Sequence, residues 1–162
     1  MTEYSSFQPY IYVNAMPTYQ HILLAVDFSE QDEFVVQKAR ALANCYHAKL
    51  SIIHVLDNIP MPDTSYGAII ALDKKSDNEM LENEKAKLIN LAKHLHVDMD
   101  DLWLVWGVPK QEINNIAEQI HADLIVVGAH GRHGIALLLG STANSVLHHA
   151  PCDVLAVHLP AY

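Results

Sequence analysis

Residues 128–142 hold the densest set of groups able to do chemistry. They run Gly128-Ala129-His130-Gly131-Arg132-His133-Gly134, then Ile135-Ala136-Leu137-Leu138-Leu139, then Gly140-Ser141-Thr142. The segment joins the end of an apolar run to the start of a helical one. Glycine tolerates positive φ and lets backbone N–H groups come close to an anion. A helix N-terminus adds unpaired donors and a partial positive charge. Ser141 and Thr142 bring hydroxyls that can donate to a phosphate or cap the helix. Together these parts can cradle a di- or triphosphate. The plainer alternative is a glycine-rich turn followed by an ordinary helix cap. Arg132 has a similar choice, between bidentate phosphate donor and exposed loop arginine.

Asp27 ends the apolar run His21-Ile22-Leu23-Leu24-Ala25-Val26. At that place it can accept from a ribose hydroxyl, help hold a metal, or cap the next helix. Two familiar nucleotide motifs are missing. No G-x-x-x-x-G-K-[ST] occurs, which excludes a Walker loop, and Asp27-Phe28-Ser29 stands where a dinucleotide fold would carry G-x-G-x-x-G. His130, His133, His148 and His149 have no cysteine or carboxylate beside them to complete a metal ligand set. No G-x-S-x-G elbow surrounds Ser141, and Cys152, next to Pro151, reads as a small buried apolar residue. No pair of carboxylates stands out as an acid/base couple.

The elements that must position these residues follow from periodicity. Short, almost continuous apolar runs suit strands buried on both faces of a parallel sheet. Such runs begin at His21, Lys49, Leu102, Asp123 and Val154. Between them lie helical patterns. The first follows Ser29-Glu30-Gln31-Asp32, which resembles a capping box, and carries Phe34, Val35, Lys38, Ala39, Leu42, Ala43 and Tyr46. The second begins at Ser76 and carries Met80, Leu81, Leu88, Leu91, Ala92 and Leu95; its outer face, Glu84 included, reads as solvated. Pro109 opens the third, and the fourth covers residues 141–149. Gly128 is expected to end the fourth strand. Residues 56–73, interrupted by Pro60, Pro62 and Gly67, form the least regular stretch, of the kind that borders binding sites. Five alternations of strand and helix predict an open five-stranded parallel α/β sheet with helices on both faces. Ligands of such sheets bind beyond the carboxyl ends of the strands, where the strand order switches.

The markers His21 through Ser29, Leu50-Ser51-Ile52-Ile53-His54-Val55, the glycine loop and Pro151-Cys152-Asp153-Val154-Leu155-Ala156-Val157 together resemble the universal stress protein family, over residues 20 to 158. That family sits within the Rossmann-like, adenine nucleotide alpha hydrolase-like α/β domains. Its nucleotide-binding branch carries G-x2-G-x9-G-[ST]. Gly128, Gly131, Gly140 and Ser141 match it, with eight residues rather than nine between Gly131 and Gly140. The resemblance implies strand order 3-2-1-4-5. It implies Asp27 and Val55 near adenine and ribose, and Val127, Gly128, Gly131, Gly140, Ser141 and Thr142 around ribose and phosphates. The residues themselves leave Val55 a simpler role in the core of the second strand. The implied ligand is ATP, ADP or AMP, with Mg²⁺ held through the phosphates. The implied assembly is a homodimer through the last strand, residues 154–158, bounded by Val154 and His158.

Composition bounds the rest. The chain has 162 residues, is 51% hydrophobic and 18% charged, and has a formal charge of −9. That suits one globular domain, expected over residues 20–162, preceded by an aromatic arm over residues 1–19. The arm is either a loose terminus or a segment docked through Tyr10, Ile11 and Tyr12. The negative charge argues against a nucleic-acid partner, and no apolar run reaches the roughly 18 residues of a membrane span. Two cysteines without CxxC spacing fit a cytoplasmic protein. The expected function is a regulatory, adenine-nucleotide-binding dimer of the stress response, with slow ATP hydrolysis at most. The alternative is a dimeric interaction module that binds no nucleotide.

Overall fold

The computed structural model describes residues 18–59, 67–130 and 140–159. Gly131 and Arg132 of the glycine loop, and the arm segment 10–13, lie outside the described residues. The elements are β1 (His21–Val26), α1 (Asp32–Tyr46), β2 (Lys49–Leu56), α2 (Glu79–Leu95), a short 3-10 turn (Met99–Asp101), β3 (Leu102–Trp106), α3 (Pro109–Gln119), β4 (Leu124–His130), α4 (Ser141–His149) and β5 (Asp153–Leu159). All four strand pairings are parallel and the order is β3-β2-β1-β4-β5.

Each central strand feeds two cores, which explains why its sequence is apolar throughout. Ile22, Leu24, Ile52, Leu104 and Val126 face one side, where Val35, Val36 and Ala39 of α1 and Leu81, Leu88 and Ala92 of α2 pack on them. Leu23, Ile53, Val105 and Ile125 face the other, under Ile113, Ile116 and Ala117 of α3 and Ala143 and Val146 of α4. The start of β1 is tied down by Asp123, whose carboxylate accepts from the N–H groups of Gln20 (2.7 Å) and His21 (3.1 Å). The Tyr19 hydroxyl donates to Asp153 at 3.1 Å, and its ring meets Tyr46 edge-on.

Several boundaries differ from those expected. The capping box is not made. Gln31 is the residue before α1 and caps nothing with its side chain, while the Ser29 hydroxyl is buried without a partner. Asp32 instead turns back on the preceding loop. Helix α2 starts at Glu79 because the Asn78 side chain accepts from the Leu81 N–H at 3.2 Å. The face of α1 is rotated so that Val36 is buried and Phe34 exposed, and Met80 of α2 is also exposed. Strand β4 runs past Gly128, because Gly128, Ala129 and His130 still pair with Val157, His158 and Leu159. The irregular stretch after β2 regains order at its far end. Gly67 donates to Trp106 O (2.7 Å), Trp106 to Ala68 O (3.1 Å) and Ile70 to Leu104 O (2.8 Å), so residues 67–70 cover the outer edge of β3.

Three helices end alike at the amino-terminal side of the sheet. His47, His96 and His121 each adopt positive φ, of 53°, 55° and 54°. The next residue donates back to the helix in each case: Ala48 to Ala43 O, Val97 to Ala92 O and Ala122 to Ala117 O, all at 2.9 Å. These are Schellman endings with histidine where glycine is usual. A side chain in the left-handed region costs about 1 kcal/mol, so His47→Gly, His96→Gly and His121→Gly should each stabilise the domain by about 0.5–1 kcal/mol. Urea unfolding checks this as a raised midpoint at unchanged slope.

Candidate functional site

The β1–α1 turn is built by two aspartates. Asp27 Oδ1 accepts from the Ser29 N–H at 2.9 Å. Asp32 Oδ2 accepts from the N–H of Asp27 (3.0 Å) and from that of Phe28. Between them Phe28 sits at φ 56°, a conformation that a bulky residue adopts only when its surroundings impose it. The Asp32 carboxylate fixes its N–H. The ring lies 4.7 Å from that of His54, and Lys87 Nζ is 5.8 Å from its centroid.

His54 is buried at the end of β2. Its Nδ1 donates to Val26 O at 2.9 Å, and its Nε2 meets Glu84 Oε2 at 3.1 Å. Glu84 Oε1 accepts from Lys87 at 2.8 Å. Helix α2 therefore does not present Glu84 to bulk solvent, as its pattern suggested. It sends Glu84 and Lys87 to the carboxyl end of the sheet. Lys85, on the same helix, is also buried, between Lys74 O and Glu82.

These groups border a cleft of about 330 Å³, within the roughly 300–1,000 Å³ of small-molecule sites. It opens at the carboxyl ends of β1, β2 and β4, beside the junction of β1 and β4 where strand order reverses. Asp27, Val55, Val127, Gly128 and Thr142 all line it, as do Asp32, His54, Asp57, Glu84 and Lys87. Gly140 and Ser141 are not on its wall; they begin α4, next to Thr142. Gly140 occupies the cap position, so neither Ser141 nor Thr142 stands at the cap and both lie in the first turn of the helix. The first described bond of that helix is Asn144 N–H to Gly140 O at 3.0 Å. Gly128 is small for a reason of packing. A Cβ there would lie 3.1 Å from both Leu159 Cδ1 and Val35 Cγ2. Among the described residues no three His, Cys, Asp or Glu side chains are grouped to hold a metal ion.

The structure brings together two carboxyls whose proximity their spacing did not announce. Asp27 and Asp32 are five positions apart, and the turn brings them together. Burial, then the Asp27 charge and a hydrogen bond between the two carboxyls, push Asp32 up to about 7, against the opposing pull of the Phe28 and Asp27 N–H groups. Asp32 was legible only as a capping residue, and Glu84 and Lys87 only as solvated helix face. His54 carried a signal, a polar residue inside a buried strand. Cys152 is half-buried, and burial followed by the Asp123 and Asp153 charges pushes its thiol up to about 11, which makes it a poor nucleophile.

Comparisons with known proteins show the family to which this fold belongs. The model of the universal stress protein family matches residues 18–158. The chain belongs to the universal stress protein family. Universal stress protein A homolog 1 of Coxiella burnetii is 38% identical over 141 residues, covering 86% of this chain and 96% of that one. The solved structure of hypothetical protein MJ0577 is 27% identical, with a TM-score of 0.67, covering 90% of this chain and 100% of that one. A universal stress protein solved in complex with cAMP has a TM-score of 0.62 at 24% identity, covering 88% and 98%, a likeness of fold.

A raised carboxyl favours folding while protonated. The Asp32 contribution is therefore complete below the ordinary carboxylate range and is lost as pH rises through about 7. Asn at 32 stays neutral and can still accept from the Phe28 N–H. Solvent screens this half-buried group, so the stability of Asp32→Asn relative to wild type should grow by about 1–2 kcal/mol between about pH 4.5 and about pH 8. Urea unfolding at both pH values reads this gap, and a constant gap contradicts the shared proton.

Proposed function

We propose that this protein binds an adenine nucleotide, ATP, ADP or AMP, in the cleft at the carboxyl ends of β1, β2 and β4, and acts as a regulatory dimer in the stress response. One observation carries the reading. The cleft lies at the switch point of the sheet, and the first turn of α4 stands beside it with Thr142 on its wall. Such a helix start offers N–H donors to phosphate oxygens. In this reading Asp27 and the Val55 backbone hold ribose and adenine. Val127, Gly128 and Thr142 flank the ribose and first phosphate. Gly140 and Ser141, with Gly131 and Arg132 from outside the described residues, complete the phosphate cradle. The relative in complex with cAMP supports the ligand class through its fold alone. Mg²⁺ would bind through the phosphates, since it draws most of its ligands from phosphate and water. In this reading the role is binding, with slow hydrolysis at most. Two free cysteines, one of them exposed, suit a reducing cytoplasm.

Calorimetry with nucleotide-stripped protein tests the ligand. ATP with Mg²⁺ should bind at micromolar level, and Gly140→Leu should weaken it more than about tenfold by obstructing the helix start. Absence of heat and of thermal shift up to millimolar ATP, ADP or AMP sinks the nucleotide reading and leaves the interaction module.

The dimer reading rests on β5. It has one strand neighbour, and Val154, Leu155 and Ala156 are only half-buried. An apolar edge of that kind is covered by pairing with its own copy across a two-fold axis. Sedimentation should give twice the monomer mass of 18.1 kDa, and Val154→Lys should shift the population toward monomer. A wild type that sediments as a monomer at micromolar concentration removes the dimer.

A further inference from the structure

We propose that Asp32 is a positioning residue for the nucleotide site: it holds Asp27 in its binding geometry and, through a proton shared between the two carboxyls, makes nucleotide binding stronger at acidic than at basic pH. This deepens the nucleotide reading and rests on it.

Three features of the geometry carry it. Asp32 is the only side chain described as holding the backbone N–H groups of both Asp27 and Phe28, so the direction of the chain leaving β1 depends on it. Both carboxyls line the same cleft. They also share one tight turn, with Asp32 Oδ2 on the Asp27 N–H at 3.0 Å, and two carboxyls held that close together ionise fully only at a cost that a proton between them removes. With the proton, held between the two carboxyls, the pair carries one negative charge. Without it two negative charges face a ligand whose phosphates are negative. The raised Asp32 carboxyl, near 7, puts this change in the physiological range.

The other charged groups around the pair are known. Asp57 follows β2 at the cleft, His54 lies near the carboxyl end of β2, and Glu84 and Lys87 reach the cleft from α2, where Glu84 binds both His54 and Lys87. Described cleft residues from β4, α4 and β5, namely Val127, Gly128, Thr142 and Leu159, are uncharged.

Asparagine and alanine at 32 separate the two roles. Asparagine keeps an acceptor for the N–H groups and stays neutral at every pH. Alanine removes the support. Nucleotide-stripped wild type, Asp32→Asn and Asp32→Ala are titrated with Mg²⁺-free ATP at about pH 6 and about pH 8.5, after urea unfolding has established that each is folded at both. The titration of ATP itself is common to all three and cancels in the comparison. Wild-type affinity should fall about tenfold further than that of Asp32→Asn over this range. Asp32→Asn should match wild type at the lower pH and show at the higher pH only the change that ATP itself contributes. Asp32→Ala should bind about tenfold more weakly than wild type even at the lower pH. Equal pH profiles for wild type and Asp32→Asn overturn the shared proton, and an Asp32→Ala that binds like wild type overturns the positioning role. A wild type that binds no ATP at either pH overturns the nucleotide reading itself, a result distinct from binding that ignores pH.

Discussion

A parallel sheet buried on both faces constrains everything else in this molecule. Parallel neighbours need a crossover between them, and the crossovers here are helices that cover Ile22, Leu24 and Ile52 on one side and Leu23, Ile53 and Ile125 on the other. Because every strand points the same way, every turn into a helix falls at one end of the sheet. The cleft is the space those turns leave between β1 and β4. Its walls are therefore loop starts, the places where backbone N–H groups and short polar side chains have no regular partner. The opposite end gathers the helix endings, and there the chain uses left-handed histidines and Schellman bonds. The two ends are chemically different because the chain direction makes them so.

The turn after β1 shows how much local strain the cleft contains. Phe28 has a side chain in a conformation suited to glycine, Asp32 is a carboxyl away from full hydration, and His54 is a buried imidazole. Each is held by another. Asp32 holds the Phe28 N–H, the Phe28 ring lies against His54, and His54 is fixed between Val26 O and Glu84. A network of this type is stable only if all its members are satisfied. Glu84 and Lys87 are part of it, so α2, the second helix of that face, has a say in the shape of a site formed mainly by strand ends.

Strand identity and the residues at the strand ends were legible because they follow from period and from burial. Ile22-Leu23-Leu24 can only be a strand covered twice, and the family markers around Asp27 and the glycine loop supply the order. What was not legible depends on which of two equivalent hydrogen bonds a side chain makes. Asp32 follows Ser29 at capping-box spacing, yet its carboxyl reaches the N–H groups of Asp27 and Phe28 instead, because Phe28 in the left-handed region turns them toward it. Gly128 reads as a strand end, yet β4 continues because β5 extends to Leu159 and pairs with it. Glu84 and Lys87 belong to a helix whose polar residues look alike in sequence; only the packing angle of α2 decides which of them meet the cleft.

The cleft is rich in acid, with Asp27, Asp32, Asp57 and Glu84 against Lys87 and His54. That is an unusual wall for a ligand carrying phosphates, and it sets the orientation such a ligand must take. Carboxylates suit hydroxyls and amino groups, which donate, and repel phosphate oxygens, which accept. The phosphate end must then lie away from Asp27 and Asp32, toward the start of α4, where backbone N–H groups and the helix dipole favour negative charge. The sugar and base are left with the β1–β2 side, where Asp27 and the Val55 backbone are. The polarity of the cleft, acid on one flank and helix start on the other, thus favours one direction for a nucleoside phosphate without reference to any bound ligand. It also makes the charge of the Asp27–Asp32 pair the electrostatic variable nearest the sugar.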